Sequence, residues 1–419
     1  MIDYNSFIAD IWKAGGEAYL VGGWVRDKLL NRRSNDIDIE VIGVPRSKFE
    51  KIMEGYGRYY RCGKAYEIYI LSHSIEISYI EDQVPIKDLA KRRDFTLNSL
   101  YYNPLKDKIT DLYGGQRDIV DKIIRHTAED VFSEDPLRII RAAELSSRLG
   151  FSISKETMLS MQEEVSSLEG IPLERIVDEL RKIYLTNMKP SKAFTVMNEI
   201  GVFKYILPRL HSLKKVIQDE VYHPEGDVFT HILMMLDILP MDKRSMEVFW
   251  AIIYHDTGKE LTYPEFKGHA LVSKDIFVSE GKKYVQDKKL QKKIESLIEY
   301  HEEPLRFLIE GFDKIKLKKL AVKVDISKLL DLYLCDVLGR GRKDNCEELK
   351  IIEQIKTLYK KIQNELTPLI SGKDLLEWKL FNVKDFSKIL RLLYEAQLEE
   401  KFVDKDSAKA FFFSKLKDD

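Results

Sequence analysis

Cysteine is nearly absent from this chain. Its three copies, Cys62, Cys335 and Cys346, stand far apart with no CxxC spacing. That argues against a disulfide framework or a cysteine zinc site and for a reducing compartment. Long apolar runs are also missing: no stretch approaches the ~20 residues of a membrane helix, so no membrane partner is expected. The opening MIDYNSFIADIWKAGG carries acidic residues and no long apolar core, unlike a signal peptide, and the cytoplasm is the expected compartment. Neither sign of charge dominates, since 68 Lys and Arg face 69 Asp and Glu for a net charge of −1. A nucleic-acid partner must therefore be argued from local basic patches. What remains is an ordinary globular composition, 44% hydrophobic and 33% charged. At 419 residues the chain exceeds one compact core, so two to four domains are expected.

Strand-like alternation is confined to roughly the first 120 residues, at Ala18 to Val21, Asp36 to Ile42, Glu67 to Leu71 and Ser74 to Ile80. Helical patterns lie between these runs, including Val25 to Leu30 and Arg46 to Glu54. From about Val131 onward apolar residues recur three and four apart, as in Ile139, Ile140, Ala143 and Leu149, which predicts stacked helical domains. Pro190, Pro208, Pro224 and Pro368 punctuate that region and suggest boundaries. Lysine clusters at Lys288–Lys293 and Lys314–Lys319 read either as solvated helix faces or as RNA contacts.

The chemistry begins at Leu20-Val21-Gly22-Gly23-Trp24-Val25-Arg26-Asp27, a strand running into a helix through two glycines. Glycine lets backbone N–H groups approach a phosphate, and Arg26 can add a charged fork. Such a pair is also a common tight turn. Directly downstream, Asp36-Ile37-Asp38-Ile39 places two carboxylates on one face of a strand. Side by side they repel and call for a cation, unless they lie on a solvated edge. Glu76, flanked by isoleucines in Ser74-Ile75-Glu76-Ile77-Ser78, offers a third carboxylate or a simple surface charge. Three carboxylates on neighbouring strands can hold two magnesium ions, which suit an attacking hydroxyl and a leaving pyrophosphate. Arg92-Arg93-Asp94-Phe95-Thr96-Leu97-Asn98 adds arginine for phosphate and an acid or amide for ribose hydroxyls.

LVGGWVRD, NDIDIE, RRDFTLNS, DLYGGQRDI and EDPLRIIRA, in that order over residues 18 to 150, resemble the class II tRNA nucleotidyltransferases of the polymerase-beta superfamily, a family that includes bacterial poly(A) polymerases. The resemblance implies that Asp36 and Asp38 are magnesium ligands with Glu76 as the third catalytic carboxylate. It implies that Gly23, Arg26 and Arg93 hold the triphosphate and Asp94 the ribose, and Gly22 and Asn98 in the same motifs are expected among the nucleotide-binding residues. Its partners would be tRNA, CTP and ATP.

Glu134-Asp135-Pro136-Leu137-Arg138-Ile139-Ile140-Arg141 reads as a helix start, with Pro136 in the first turn and Asp135 and Arg138 on one face. As structure this is an intrahelical ion pair worth ~0.3–0.5 kcal/mol. As chemistry, Asp135 accepts from an exocyclic amino group and Arg138 donates to a ring nitrogen. Cytosine and adenine share that edge. Guanine and uracil reverse it and leave both groups unpaired at ~1–3 kcal/mol each. The resemblance assigns base choice to these two positions and a further nucleotide contact to Arg141. Two departures stand out. Glu144 occupies a place where the family usually has arginine. Only 16 positions (92 − 76) separate Glu76 from Arg92, where relatives usually carry a longer flexible loop that helps the switch from C to A. Family members with a shortened loop include ones that add only CC.

Five of the eight histidines, His223, His231, His255, His269 and His301, fall in one later region with adjacent His255-Asp256 and, further on, Asp336. Imidazole and carboxylate ligands suit a transition metal that acidifies bound water. The order resembles the HD phosphohydrolases on His231, His255, Asp256 and Asp336, and the C-terminal half of multifunctional bacterial CCA enzymes, with the tail stretch LISGKDLL. The expected fold is α+β: a nucleotidyltransferase head (1–125), an all-α neck (126–205), an HD-type helical domain (206–345) and a helical tail contacting tRNA (346–419). The expected activity is addition of C and A to tRNA 3′ ends, with phosphatase or phosphodiesterase activity in the HD domain. The alternatives are CC addition only, and an HD phosphohydrolase whose head binds RNA.

Overall fold

A computed structural model describes residues 3–34, 36–62, 67–71, 75–342, 344–378 and 386–418. Asn35 and Ser74, both part of the patterns above, lie outside the described residues. The chain divides into two compact units, Met1–Ile183 with Lys192–Leu207, and Tyr184–Ser191 with Pro208–Asp419. The organisation is α+β, as the sequence predicts.

The first unit is built on a seven-stranded mixed sheet. Its strands are β1 (Glu17–Val21), β2 (Ile37–Ile42), β3 (Tyr59–Cys62), β4 (Glu67–Leu71), β5 (Ile75–Ile80), β6 (Tyr101–Asn103) and β7 (Lys108–Thr110). They run in the order β3-β4-β5-β2-β1-β6-β7. Among the described residues, only β2 and β5 pair in parallel within this sheet. The helix Arg46–Tyr56 lies in the crossover between them. Its Phe49 stacks on Tyr79 of β5 at 4.3 Å and meets Tyr69 of β4 edge-on, which fixes the far half of the sheet. Tyr19, Val21, Ile42, Leu89, Ala90 and Tyr101 close a second core next to the site described below.

The four predicted strands are present to within a residue at each end. The three missed ones, β3, β6 and β7, are three or four residues long, too short to show alternation. Strands also occur beyond residue 120, where Ile123–Ile124 pairs in parallel with Ser152–Ile153. Two-residue strands leave no periodic trace in a sequence.

The second unit is helical. Val228–Leu236, Met246–Tyr254, His269–Ile276, Lys288–Tyr300 and Ile326–Gly339 pack together. Met246–Tyr254 is apolar around most of its circumference and buried from Glu247 to Tyr254, as a central helix must be. Its cap Ser245 and the caps Asp227, Asp287 and Asp325 each accept a backbone N–H of the helix they start. The tail folds on its own core of Ile370, Leu375, Leu393, Phe402 and Phe412. The Lys314–Lys319 cluster is committed within the molecule. Lys314 and Lys318 pair with Glu365 and Glu400, and Lys319 with Glu399 at 2.6 Å.

Candidate functional site

In the first unit the parallel register of β2 and β5 sets Asp38 directly opposite Glu76. Asp36 immediately precedes β2. Asp38 is half-buried, whereas Asp36 and Glu76 are exposed. Burial pushes the Asp38 carboxyl above its ordinary value; Arg93 opposes the shift, and Glu76 and Asp36 add to it. Carboxylates that repel one another in this way suit a divalent cation, the hard oxygen-bound kind.

Two residues on from Asp38 the same strand carries Glu40, buried at 5% exposure. It accepts hydrogen bonds from the Arg93 guanidinium and from Tyr101 Oη, the latter at 2.9 Å. Arg93 is thereby held at the edge of a cavity of about 640 Å³. Gly22 borders the same space with φ +65°, and a Cβ there would stand 3.0 Å from Asp38 Oδ2. Only glycine has both the backbone freedom and the room. Asp94 is buried. One of its oxygens accepts from Phe95 N and Asn98 Nδ2 at 2.8 and 2.9 Å, and the other lies 2.7 Å from the Arg141 guanidinium.

The cavity is lined by Gly22, Gly23, Asp38, Arg93, Asp94 and Asn98 together with Asp135, Arg138 and Arg141. Nine of the twelve residues singled out in this unit from sequence thus meet in one space. Three do not line it. Asp36 and Glu76 stand outside. Arg26 is buried behind the glycine turn, paired with Asp27 at 2.8 Å and donating to Asn98 Oδ1 at 2.7 Å.

The Asp135 and Arg138 pair differs from the intrahelical reading. Asp135 is extended and precedes the helix Leu137–Leu149, which Pro136 caps. Its carboxylate pairs with Arg175, forty positions on, at 3.1 Å. Arg138 donates to Arg92 O at 2.9 Å and to Val131 O at 3.1 Å. Asp135 and Arg138 are therefore held by separate partners, and both face the cavity. Arg92, the first of the basic pair read from sequence, lines it too, as does Arg175; Arg175 was missed and carries no local sequence signal. Glu144 is buried at 1% exposure against Arg148 at 2.7 Å. Between Glu76 and Arg92, β5 continues to Ile80 and the helix Ile86–Lys91 begins after Pro85, which leaves a link of five residues.

In the second unit, His231, His255, Asp256 and Asp336 do come together. His231 Nε2 is 3.0 Å from Asp336 Oδ1, and His255 Nε2 is 3.2 Å from Asp256 Oδ2. Ligand atoms of His231, His255 and Asp336 all lie within 4.8 Å of one another. His255 Nε2 is buried without a hydrogen-bond partner, an expensive state for a polar atom unless it serves as a ligand. The donor set of imidazoles and carboxylates fits a transition metal. Burial alone would raise Asp256, but His255 and Lys259 hold its carboxyl well below the usual range. Arg340 and His231 do the same for Asp336. Glu225, 2.7 Å from His231 Nδ1, belongs to this cluster. It lies in His223-Pro224-Glu225-Gly226-Asp227, where nothing local distinguishes it from a surface carboxylate. His223, His269 and His301 join as well, and a cavity of about 560 Å³ opens onto Asp256, His269, His301, Asp336, Lys259 and Arg340.

Comparisons with known proteins match this layout. Residues 18–81 and 73–125 match the poly A polymerase head domain. Residues 150–214 match the probable RNA and SrmB-binding site of polymerase A, and residues 228–341 match the HD domain. The multifunctional CCA protein of Cupriavidus taiwanensis is 32% identical over 287 residues, 61% of this chain and 68% of that one. That of Pseudomonas fluorescens is 28% identical over 369 residues, 78% and 85%. Among solved structures, the Bacillus stearothermophilus CCA-adding enzyme in complex with CTP superposes with TM-score 0.72 at 19% identity, covering 99% of this chain and 97% of that chain. The Thermotoga maritima CCA-adding enzyme complexed with tRNA gives 0.64 at 22%, covering 99% and 94%. At such identities the structural likeness establishes the fold.

Proposed function

This chain belongs to the multifunctional CCA proteins, and from that membership we propose that its first unit adds C and then A to tRNA 3′ ends from CTP and ATP. The observation that carries the reading is the single cavity bordered by Asp38, the Arg93-Asp94 motif and the Asp135/Arg138 pair. Nucleotidyltransferase heads and HD domains are metal-dependent families. In the head, Asp36, Asp38 and Glu76 would hold magnesium. Bound there, magnesium supplies the charge that favours an attacking 3′ hydroxyl and a leaving pyrophosphate.

The chain's own residues do the rest. Gly22 and Gly23 leave room for the triphosphate beside the carboxylates. Arg93, fixed by Glu40, meets its charge, while Arg26 supports the glycine turn from behind. Asp94, oriented by Asn98 and Arg141, serves the sugar. Asp135 accepts from the amino group that cytosine and adenine share, and Arg138 donates to the adjacent ring nitrogen. Arg175 and Arg92 O orient these two groups. A poly(A) polymerase is disfavoured, because nothing in this pair excludes cytosine.

The proposed division is a head at 1–125, a neck at 126–205, an HD domain at 206–345 and a tail at 346–419. The helical body grips tRNA through backbone and shape, and the setting is the cytoplasm. For the second unit we propose a transition metal on His231, His255, Asp256 and Asp336 and hydrolysis of phosphate esters, in a cavity where Lys259 and Arg340 provide positive charge. One observation favours a narrower product, CC alone: only Glu81–Pro85 joins β5 to the next helix. Labelled ATP and a tRNA already ending in CC decide it. AMP transfer establishes CCA addition, and its absence limits the enzyme to CC.

A further inference from the structure

The sheet of the first unit extends past its carboxylates. Asp38 of β2 stands opposite Glu76 of β5, Glu76 opposite Ile70 of β4, and Ile70 opposite Tyr60 of β3. Residues directly opposite on neighbouring strands share a face, so these four side chains form one row. Glu40, Ser78, Ile68 and Cys62 form the next row on the same face. The other face carries Ile39, Ile77 and Tyr69, all buried, and the helix Arg46–Tyr56 covers it through Phe49. Tyr60 therefore ends a row that begins at Asp38, on the face opposite that helix.

The surroundings change along that row. Asp38 borders the cavity, as do Glu40, Ser78 and Ile68, whereas Glu76, Ile70 and Tyr60 lie outside it. The carboxylates thus stand between the cavity and a shelf beside it. Ile70 is half-buried and forms the floor of that shelf. Tyr60 closes it on the outermost strand and is 59% exposed. Three strand spacings of about 4.8 Å place it roughly 14 Å from Asp38. Its neighbour Tyr59 tilts against Tyr69 at 5.6 Å, but Tyr60 has no ring contact and no side-chain hydrogen bond among the described residues. Arg58, two positions earlier, is exposed and forms no ion pair among the described residues. An open aromatic ring accepts any base by stacking, and a nearby unpaired arginine suits the backbone phosphate.

Nucleotidyl transfer brings two substrates to the carboxylates, a triphosphate and the RNA whose hydroxyl attacks it. The arginines of the cavity serve the first, and the shelf lies on the side left for the second. We propose that β4 and β3 carry the single-stranded 3′ end of the RNA, with a base upstream of the attacking hydroxyl stacked on the Tyr60 ring and Arg58 beside its phosphate. This rests on the reading of the head as a tRNA nucleotidyltransferase and adds to it the path of the attacking strand.

The test uses the full-length protein, CTP and a tRNA lacking its CCA end. Tyr60→Ala should raise KM for the tRNA by about 5–150-fold, the worth of one base stacked on an aromatic ring, and leave KM for CTP and the melting temperature unchanged. Tyr60→Phe keeps the ring and should keep the wild-type KM. A second series of tRNAs carries one abasic residue at each of the last few positions. One of these positions should weaken the wild type by a similar factor and leave Tyr60→Ala indifferent. An unchanged KM for the tRNA in Tyr60→Ala, an equal rise in KM for CTP, or the same abasic profile in both proteins overturns the proposal while CTP incorporation by the wild type still supports the reading of the head. A wild type that never incorporates CTP overturns both.

Discussion

Replacing Gly22 with alanine separates the two demands that the turn makes on its backbone and its space. Gly22 has φ +65° and ψ −138°, a region that residues with a Cβ rarely enter. Forcing alanine into it costs about 1–3 kcal/mol. In a unit of this size each kcal/mol moves the melting temperature by about 2–4 °C, so a fall of roughly 2–12 °C is expected in thermal denaturation. The new methyl would also stand 3.0 Å from Asp38 Oδ2 and would shift that carboxylate. A misplacement of ~1 Å at a reacting group costs ~10²-fold, so a shift of a few tenths should lower kcat/KM for CTP by about tenfold. Gly15→Ala is the control. Gly15 has φ +91° with nothing within 4 Å of the added carbon, so it should lose stability and keep its rate. Wild-type kcat/KM in Gly22→Ala, or equal loss in both variants, would refute the argument.

Arg93→Ala strands the Glu40 carboxylate and should destabilise the first unit by about 3 kcal/mol, the low end for breaking a buried pair, since Arg93 is partly exposed. Adding Glu40→Gln should restore much of the melting temperature without restoring CTP incorporation. Arg138→Ala should weaken discrimination against GTP and UTP by about 5–150-fold, the worth of ~1–3 kcal/mol, measured as misincorporation on a tRNA ending in C. Asp336→Asn should abolish metal-dependent release of phosphate from p-nitrophenyl phosphate, read colorimetrically.

Much of the head was legible because strand geometry is local. Asp38 and Glu76 each sit in a run with period two, and β2 and β5 deliver them side by side. Glu40 lies on that same face two residues on, but its partners Arg93 and Tyr101 are too distant in sequence for the strand pattern to name them. What the sequence hid depends on distant partners. Arg26 reads as a phosphate fork, yet Asp27 and Asn98 draw it into the interior. Asp135 and Arg138 read as one turn of helix with an ion pair between them, yet their side chains are held by separate partners, Arg175 and Arg92 O. In the second unit the adjacent His255-Asp256 pointed to the cluster of histidines and carboxylates that the helices assemble. That His269 and His301 reach Asp256 depends on helix packing that their spacing does not encode. The Lys314–Lys319 cluster reads as solvated or RNA-bound, because its glutamate partners lie some fifty to eighty positions away.

The most direct test of the account is label transfer from CTP alone, ATP alone and both onto a tRNA lacking its CCA end, with Asp38→Ala beside the wild type. The account predicts CC from CTP alone, CCA from both nucleotides, nothing from ATP alone, and no product from Asp38→Ala. A protein that releases phosphate in its second unit but never incorporates CTP, or an Asp38→Ala variant that incorporates it fully, would contradict it.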